Sequence, residues 1–157
     1  MPHPHHTLLI GYGNSLRGDD AVGRLIAEEV SGWGAKGLRV LSVHQLTPDL
    51  AADIAGASHV LFVDASHPAL ADSEGRILLS ALHPDSGSAA HLSSHVLLPA
   101  ALLAAAETLY DAHPDAALLT VPGAQFEHGA PLSDSARKGM ELALEFLRKR
   151  FTWSMLE

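Results

Sequence analysis

The sequence predicts an α/β fold: a single three-layer domain over residues 1–157, with a mostly parallel five-stranded twisted sheet and helices on both faces. Three observations carry this. Short apolar runs alternate with amphipathic helical stretches along the whole chain. Its 157 residues favour one domain. The run Val60-Leu61-Phe62-Val63 is apolar throughout, as a central parallel strand covered on both faces must be.

The elements follow in order. Leu8-Leu9-Ile10 is a compact apolar strand. Gly11 and Gly13 after it let the backbone turn sharply or approach another group closely. A helix runs from Ala21 to Val30, with Val22, Leu25, Ile26 and Val30 on one face and Arg24, Glu28 and Glu29 on the other. Ser31-Gly32-Trp33-Gly34 ends it. Leu38 to Val43 is the second strand, and His44-Gln45-Leu46 turns out of it. Thr47-Pro48-Asp49 opens the next helix, with Thr47 as N-cap, and the helix ends near Gly56. The third strand, Val60 to Ala65, closes on Asp64. Arg76 to Leu82 is a fourth strand suited to an edge, followed by a Ser/Gly/Ala-rich loop to Ala90. Ser93 or Ser94 caps a helix from Val96 to Tyr110, which places His95 in its first turn. Ala117 to Val121 is the fifth strand, and Ala124 to Pro131 a loop. Ser133 caps the last helix, which runs to about Phe151 and presents Ala136, Met140, Ala143, Leu144 and Leu147 as its apolar face.

Composition removes several function classes. The net charge is −8, with no long run of Lys or Arg, which argues against nucleic acid or an anionic membrane as partner. No stretch approaches the roughly 20 apolar residues of a membrane span. The start, MPHPHH, lacks the layout of a signal peptide. The chain has no cysteine, so disulfides, thiolate catalysis and Cys-based metal sites are excluded, and a cytoplasmic location is expected. Eleven histidines remain as nitrogen donors; His3, His5, His6 and His113 stand apart from any plausible site.

The stretch that organises the chain is Leu8 to Gly23, LLIGYGNSLRGDDAVG. It fails as a dinucleotide fingerprint, because no third glycine falls in register and two aspartates stand where a pyrophosphate needs helix N–H groups. It suits a cation or a cationic group better. Asp19 and Asp20 at the helix start have a plain structural use as cap and dipole partners, at about 0.3–1 kcal/mol each. A second use is to point a carboxylate into the crevice at the strands' carboxyl ends. Asp64 lies at the end of a central strand, where α/β proteins place ligand-binding groups, or else caps the loop after it. His95, at a positive helix end, suits a neutral imidazole acting as ligand or base. Together Asp20, Asp64 and His95 make an open three-ligand set of oxygen and nitrogen donors, fit for Zn, Ni, Mn or Fe(II). No G-x-S-x-G elbow supports a serine nucleophile. Asn14 either shapes its turn or donates a hydrogen bond to a substrate carbonyl.

These residues resemble a known family. G-Y-G-N-S-L-R-G-D-D-A-V-G (Gly11 to Gly23) is similar to the G-x-G-N-x-x-x-x-D-D/E-x-x-G signature of the [NiFe]-hydrogenase maturation endopeptidases, peptidase family M52. H-Q-L-T-P-D-L-A (His44 to Ala51) resembles a segment of the branch serving bidirectional, NAD(P)-linked hydrogenases. V-D-A (Val63 to Ala65), S-S-H (Ser93 to His95) and F-E-H-G-A-P-L-S (Phe126 to Ser133) match further motifs in order. The resemblance implies a cytoplasmic hydrolase with aspartyl-type endopeptidase activity. It would remove a C-terminal extension from a [NiFe]-hydrogenase large-subunit precursor after nickel insertion. Catalytic and metal-binding roles fall on Asp20, Asp64 and His95, with nickel arriving in the precursor and the free enzyme metal-free. Asn14, Asp19 and His44 are expected to contact the substrate, and the chain is expected to act as a monomer. Ala21 replaces a common glycine. The aspartate that some members carry after the second strand is absent, so its role does not transfer. The competing expectations are a nickel-binding or metal-delivery module without peptidase activity, and a small nucleotide binder.

Overall fold

The computed structural model describes residues 6–66, 76–85 and 94–156, with side chains in the third segment from Leu98 to Phe151. Five strands form one sheet: β1 (Thr7–Tyr12), β2 (Leu38–Val43), β3 (His59–Ser66), β4 (Leu78–Leu82) and β5 (Asp115–Pro122). The order is β2-β1-β3-β5-β4. β1, β2, β3 and β5 are parallel, and β4 pairs antiparallel with β5 at the edge. Four α-helices accompany them: α1 (Val22–Ser31), α2 (Leu50–Ala55), α3 (Ser94–Tyr110) and α4 (Asp134–Leu156). The expected mostly parallel sheet forms with the fourth strand at an edge, and the antiparallel direction of that strand is a further feature of the structure.

Strand alternation splits the core in two. Leu9 and Val63 face α1 and α4, where Val22, Ile26, Val30, Ala143 and Leu147 close one side. Leu8, Ile10, Tyr12, Val60 and Phe62 face α2 and α3, meeting Leu50, Ile54, Leu102 and Leu103. β1 and β3 are therefore apolar on both faces, the condition for central parallel strands. The two faces also sort the site: Tyr12 and Asp64 continue the α2–α3 row.

Glycine fixes how closely α1 lies on the sheet. A Cβ on Gly11 would stand 2.1 Å from the Gly23 carbonyl oxygen, and one on Gly23 would stand 2.4 Å from that of Val63. The helix rests directly on β1 and β3 only because both side chains are hydrogen. Gly13 has φ +148°, and a Cβ there would fall 1.8 Å from the Asp20 carbonyl oxygen. The chain thus turns tightly enough to bring Asp20 back over the end of β1.

Several boundaries differ from expectation. The acidic pair belongs to a 3-10 turn, Gly18–Ala21, and α1 proper begins at Val22. Thr47 does not cap a backbone N–H; its hydroxyl donates to the Asp49 carboxylate. Three successive i→i+3 bonds onto the carbonyls of Thr47, Pro48 and Asp49 tighten that entry, so α2 is short. β4 begins at Leu78 rather than Arg76, and α3 begins at Ser94. Ser133 caps α4 as expected, its Oγ accepting from the N–H of Ala136 at 3.1 Å. α4 continues to Leu156, beyond the expected end.

Candidate active site at the carboxyl end of the sheet

β1 and β3 run side by side, with Gly11 opposite Val63, so Tyr12 and Asp64 are neighbours one step further along. Asp64 is 4% exposed, and its Oδ1 accepts from the N–H of Ala65 at 2.8 Å. Asp20 is half-buried, and its Oδ2 accepts from the N–H of Asn14 at 2.7 Å. Tyr12 joins the two. Burial and the adjoining charges of Asp64 and Asp20 push its phenol far above the ordinary tyrosine value, so it stays protonated. Among the described residues the hydroxyl has no hydrogen-bond partner, although Tyr12 leaves β1 beside Asp64 on the same face of the sheet. Two expected site residues, Asp20 and Asp64, thus both act by their charge on a phenol that the sequence reading passed over. Its signal was the alternation Leu8, Ile10, Tyr12, which puts the ring on the face of Asp64.

His95 occupies the first turn of α3 as expected. α3 ends just before β5 starts, so it runs against the parallel strands and begins toward their carboxyl ends. The side chain of His95 lies outside the described residues, as do Ser93, His3 and His5. Among the described residues no group of three His, Cys, Asp or Glu side chains forms a metal centre. The two described carboxylates of the expected set, Asp20 and Asp64, are hard oxygen donors.

Asp19 is placed differently from its expected substrate contact. It is fully buried, and both oxygens are engaged. Oδ2 accepts from the N–H groups of Ala124 (2.6 Å) and Gln125 (2.9 Å) and from the Ser133 hydroxyl (2.6 Å). Oδ1 accepts from the Ser133 N–H (2.8 Å). Burial alone would raise the Asp19 pKa; the hydroxyl and backbone donors outweigh it and hold the carboxyl below its usual value. Asp19 therefore ties the acidic turn to the loop between β5 and α4 rather than touching a ligand. The Asp19 N–H donates to the Gln125 carbonyl (2.6 Å), Gly129 N–H to the Leu16 carbonyl (2.8 Å), and Arg17 Nε to the Phe126 carbonyl (3.1 Å). Two segments over 100 residues apart become one rim.

Asn14 shapes this rim. Its Oδ1 accepts from the Leu16 N–H at 2.9 Å, an Asx turn. Asn14, Arg17, Phe126, Glu127 and His128 line an open hollow beside Asp20. His44 is exposed at the carboxyl end of β2, where Val43 accepts from the Gly13 N–H at 3.2 Å. It flanks the turn that carries Asp20. An apolar hollow around Thr7, His59, Phe146 and Phe151 sits at the opposite end of the sheet.

An α/β sheet with two carboxylates at a strand-end crevice defines a class: a small doubly wound protein with an acidic ligand site. Within that class the fold is that of the hydrogenase maturation proteases. The chain matches hydrogenase maturating endopeptidase HybD from E. coli with a TM-score of 0.78 at 23% identity, covering 95% of this chain and 93% of that one. It matches the [NiFe] hydrogenase maturation protease HycI from Thermococcus kodakarensis KOD1 with a TM-score of 0.76 at 20% identity, covering 94% and 93%. It matches HybD from Thermococcus kodakarensis with a TM-score of 0.71 at 18% identity, covering 93% and 99%. No family profile matches the chain, and no curated protein does. Among the described residues no helix is long and apolar enough to cross a membrane.

Proposed function

We propose that this protein is a maturation endopeptidase that removes the C-terminal extension of a [NiFe]-hydrogenase large-subunit precursor after nickel has been inserted. What supports the reading is the fold, shared with proteins named as hydrogenase maturation proteases, together with Asp64 at the carboxyl end of β3 and Asp20 held by the Asn14 N–H just beyond β1. A site with two carboxylates and an open face can recognise a cation already held by another protein. Asp20 and Asp64, with His95 at the start of α3, meet the nickel of the precursor and bring the scissile segment to the crevice. Nickel is part of the substrate in this reading. His44 and the rim around Asn14 contact the precursor's chain. The reaction takes place in the cytoplasm with the enzyme as a monomer, and the His44-Gln45-Leu46-Thr47-Pro48 segment assigns it to the bidirectional branch.

The test is the intact mass of the precursor after incubation with the protein, with and without nickel loading, alongside Asp20→Ala. Loss of one C-terminal fragment that needs both nickel and Asp20 supports the proposal. A loaded precursor that keeps its full mass refutes it, and leaves the fold without this activity.

A further inference from the structure

Tyr12 is the one residue at the crevice whose polar atom no motif explains. The ring is ordinary core: it stands edge-on to Phe62, with centroids 6.4 Å apart and planes at 85°, and the residue is only 8% exposed. A phenylalanine would fill that space equally well. The hydroxyl adds a buried polar atom that closes no hydrogen bond of normal geometry among the described residues. Leaving such a group unsatisfied costs about 1–3 kcal/mol. Beside Asp64 a protonated phenol has one role open to it, as a donor, and taking that role avoids the cost.

Asp64 is the acceptor beside it: Gly11 pairs with Val63, so the next side chains along, Tyr12 and Asp64, leave neighbouring strands on one face. Asp64 Oδ1 is already fixed by the Ala65 N–H from the strand side. A donor from β1 would hold the carboxylate from a second direction. Its plane would then be set by two elements, β1 and β3. Groups that orient a metal-contacting carboxylate in this way act through it rather than on the substrate.

We infer that Tyr12 is a positioning residue: its hydroxyl donates to the Asp64 carboxylate and aims that carboxylate at the cation carried by the precursor. This rests on the function proposed above for Asp64. It also separates Tyr12 from the substrate itself, since the residue is buried.

Tyr12→Phe is the test, because it removes the oxygen and keeps the ring. The thermal midpoint should move little, because the ring and its packing on Phe62 stay. Processing of nickel-loaded precursor at saturation should slow roughly tenfold, within the 10–100-fold range for such supporting partners. The carboxyl carbon resonance of Asp64, assigned by its loss in Asp64→Asn, should move in Tyr12→Phe. In the wild-type chain the Tyr12 hydroxyl proton should be shielded from solvent exchange and correlate with the Asp64 carboxyl carbon, a readout that needs no variant to fold. Wild-type processing by Tyr12→Phe, or an Asp64 resonance that does not move, overturns the inference. If the wild-type protein leaves the precursor intact, the proposed function fails, while the two resonances still decide whether Tyr12 holds Asp64.

Discussion

Asp19→Asn should be among the most damaging conservative changes in the protein. The wild-type carboxylate takes three donors on Oδ2 and one on Oδ1. An asparagine can turn its oxygen toward the three, but its NH2 then meets the Ser133 N–H, donor against donor. One charge-assisted bond is lost outright, at about 1.5–3 kcal/mol, and the other three lose the charge. The sum is about 3–5 kcal/mol, similar to breaking a buried ionic network. Set against a typical stability of about 5–15 kcal/mol, that is a large share. For a chain of this size, at about 2–4 °C per kcal/mol, the thermal midpoint should fall by about 6–20 °C. Circular dichroism melts at neutral pH, with urea unfolding as a second measure, read this directly. The pH dependence carries a definite sign. The folded pKa of Asp19 lies below its unfolded value, so its contribution is full above that unfolded value of about 3.9. It is lost as pH falls through the folded value. The gap between wild type and Asp19→Asn should therefore be widest at neutral pH and narrow below about pH 4. A loss under about 1 kcal/mol at neutral pH, or a gap of constant size down to pH 3, would refute the reasoning.

Other changes separate fold from site. Asp20→Asn and Asp64→Asn should each abolish precursor processing, by intact mass, while far-ultraviolet circular dichroism stays native; retained processing in either would remove that carboxylate from the site. Gly11→Ala places a Cβ 2.1 Å from the Gly23 carbonyl oxygen and 2.6 Å from Ala27 Cβ, so α1 must back away from β1. It should cost about 3 kcal/mol in urea unfolding, and a neutral result would show that the helix can shift freely. His44→Ala, at an exposed position, should change stability by less than about 0.5 kcal/mol and slow processing; an unchanged rate would exclude His44 from substrate contact.

How much of this was legible varied with the range of the forces involved. β1, its turn and α1 could be read because apolar period, glycine and helix onset are local signals. Asp64 could be read because a charged residue closing an apolar strand is conspicuous. Ser133 as cap of α4 was equally local. Asp19 was misread because its partners at Ala124, Gln125 and Ser133 lie more than 100 residues away, and no spacing announces them. Beside Asp20 it looked like half of one acidic pair. The structure divides the pair, one carboxylate buried in backbone donors and one turned to the crevice. Thr47 was misread as a backbone cap because a neighbouring Asp49 side chain competes for the same hydroxyl. Tyr12 was hidden by composition, since an aromatic ring at the end of an apolar strand reads as core, and here the ring is core while the hydroxyl is not.

The tie from Asp19 to Ser133 bears on the order in which the protein comes into being. Synthesis produces the Gly11–Gly23 stretch almost at once, and β1, α1 and β3 can associate as soon as β3 is made. The rim over Asp20 cannot close then, because the donors that saturate Asp19 have not been polymerised. Until Ser133 emerges, the emerging chain carries an acidic turn with a bare buried-type carboxylate and an unfinished crevice. The loop after the last strand and the cap of the last helix thus act as a lock on the first loop, and the rim around Asp20 is completed late in folding rather than with the segment that bears it.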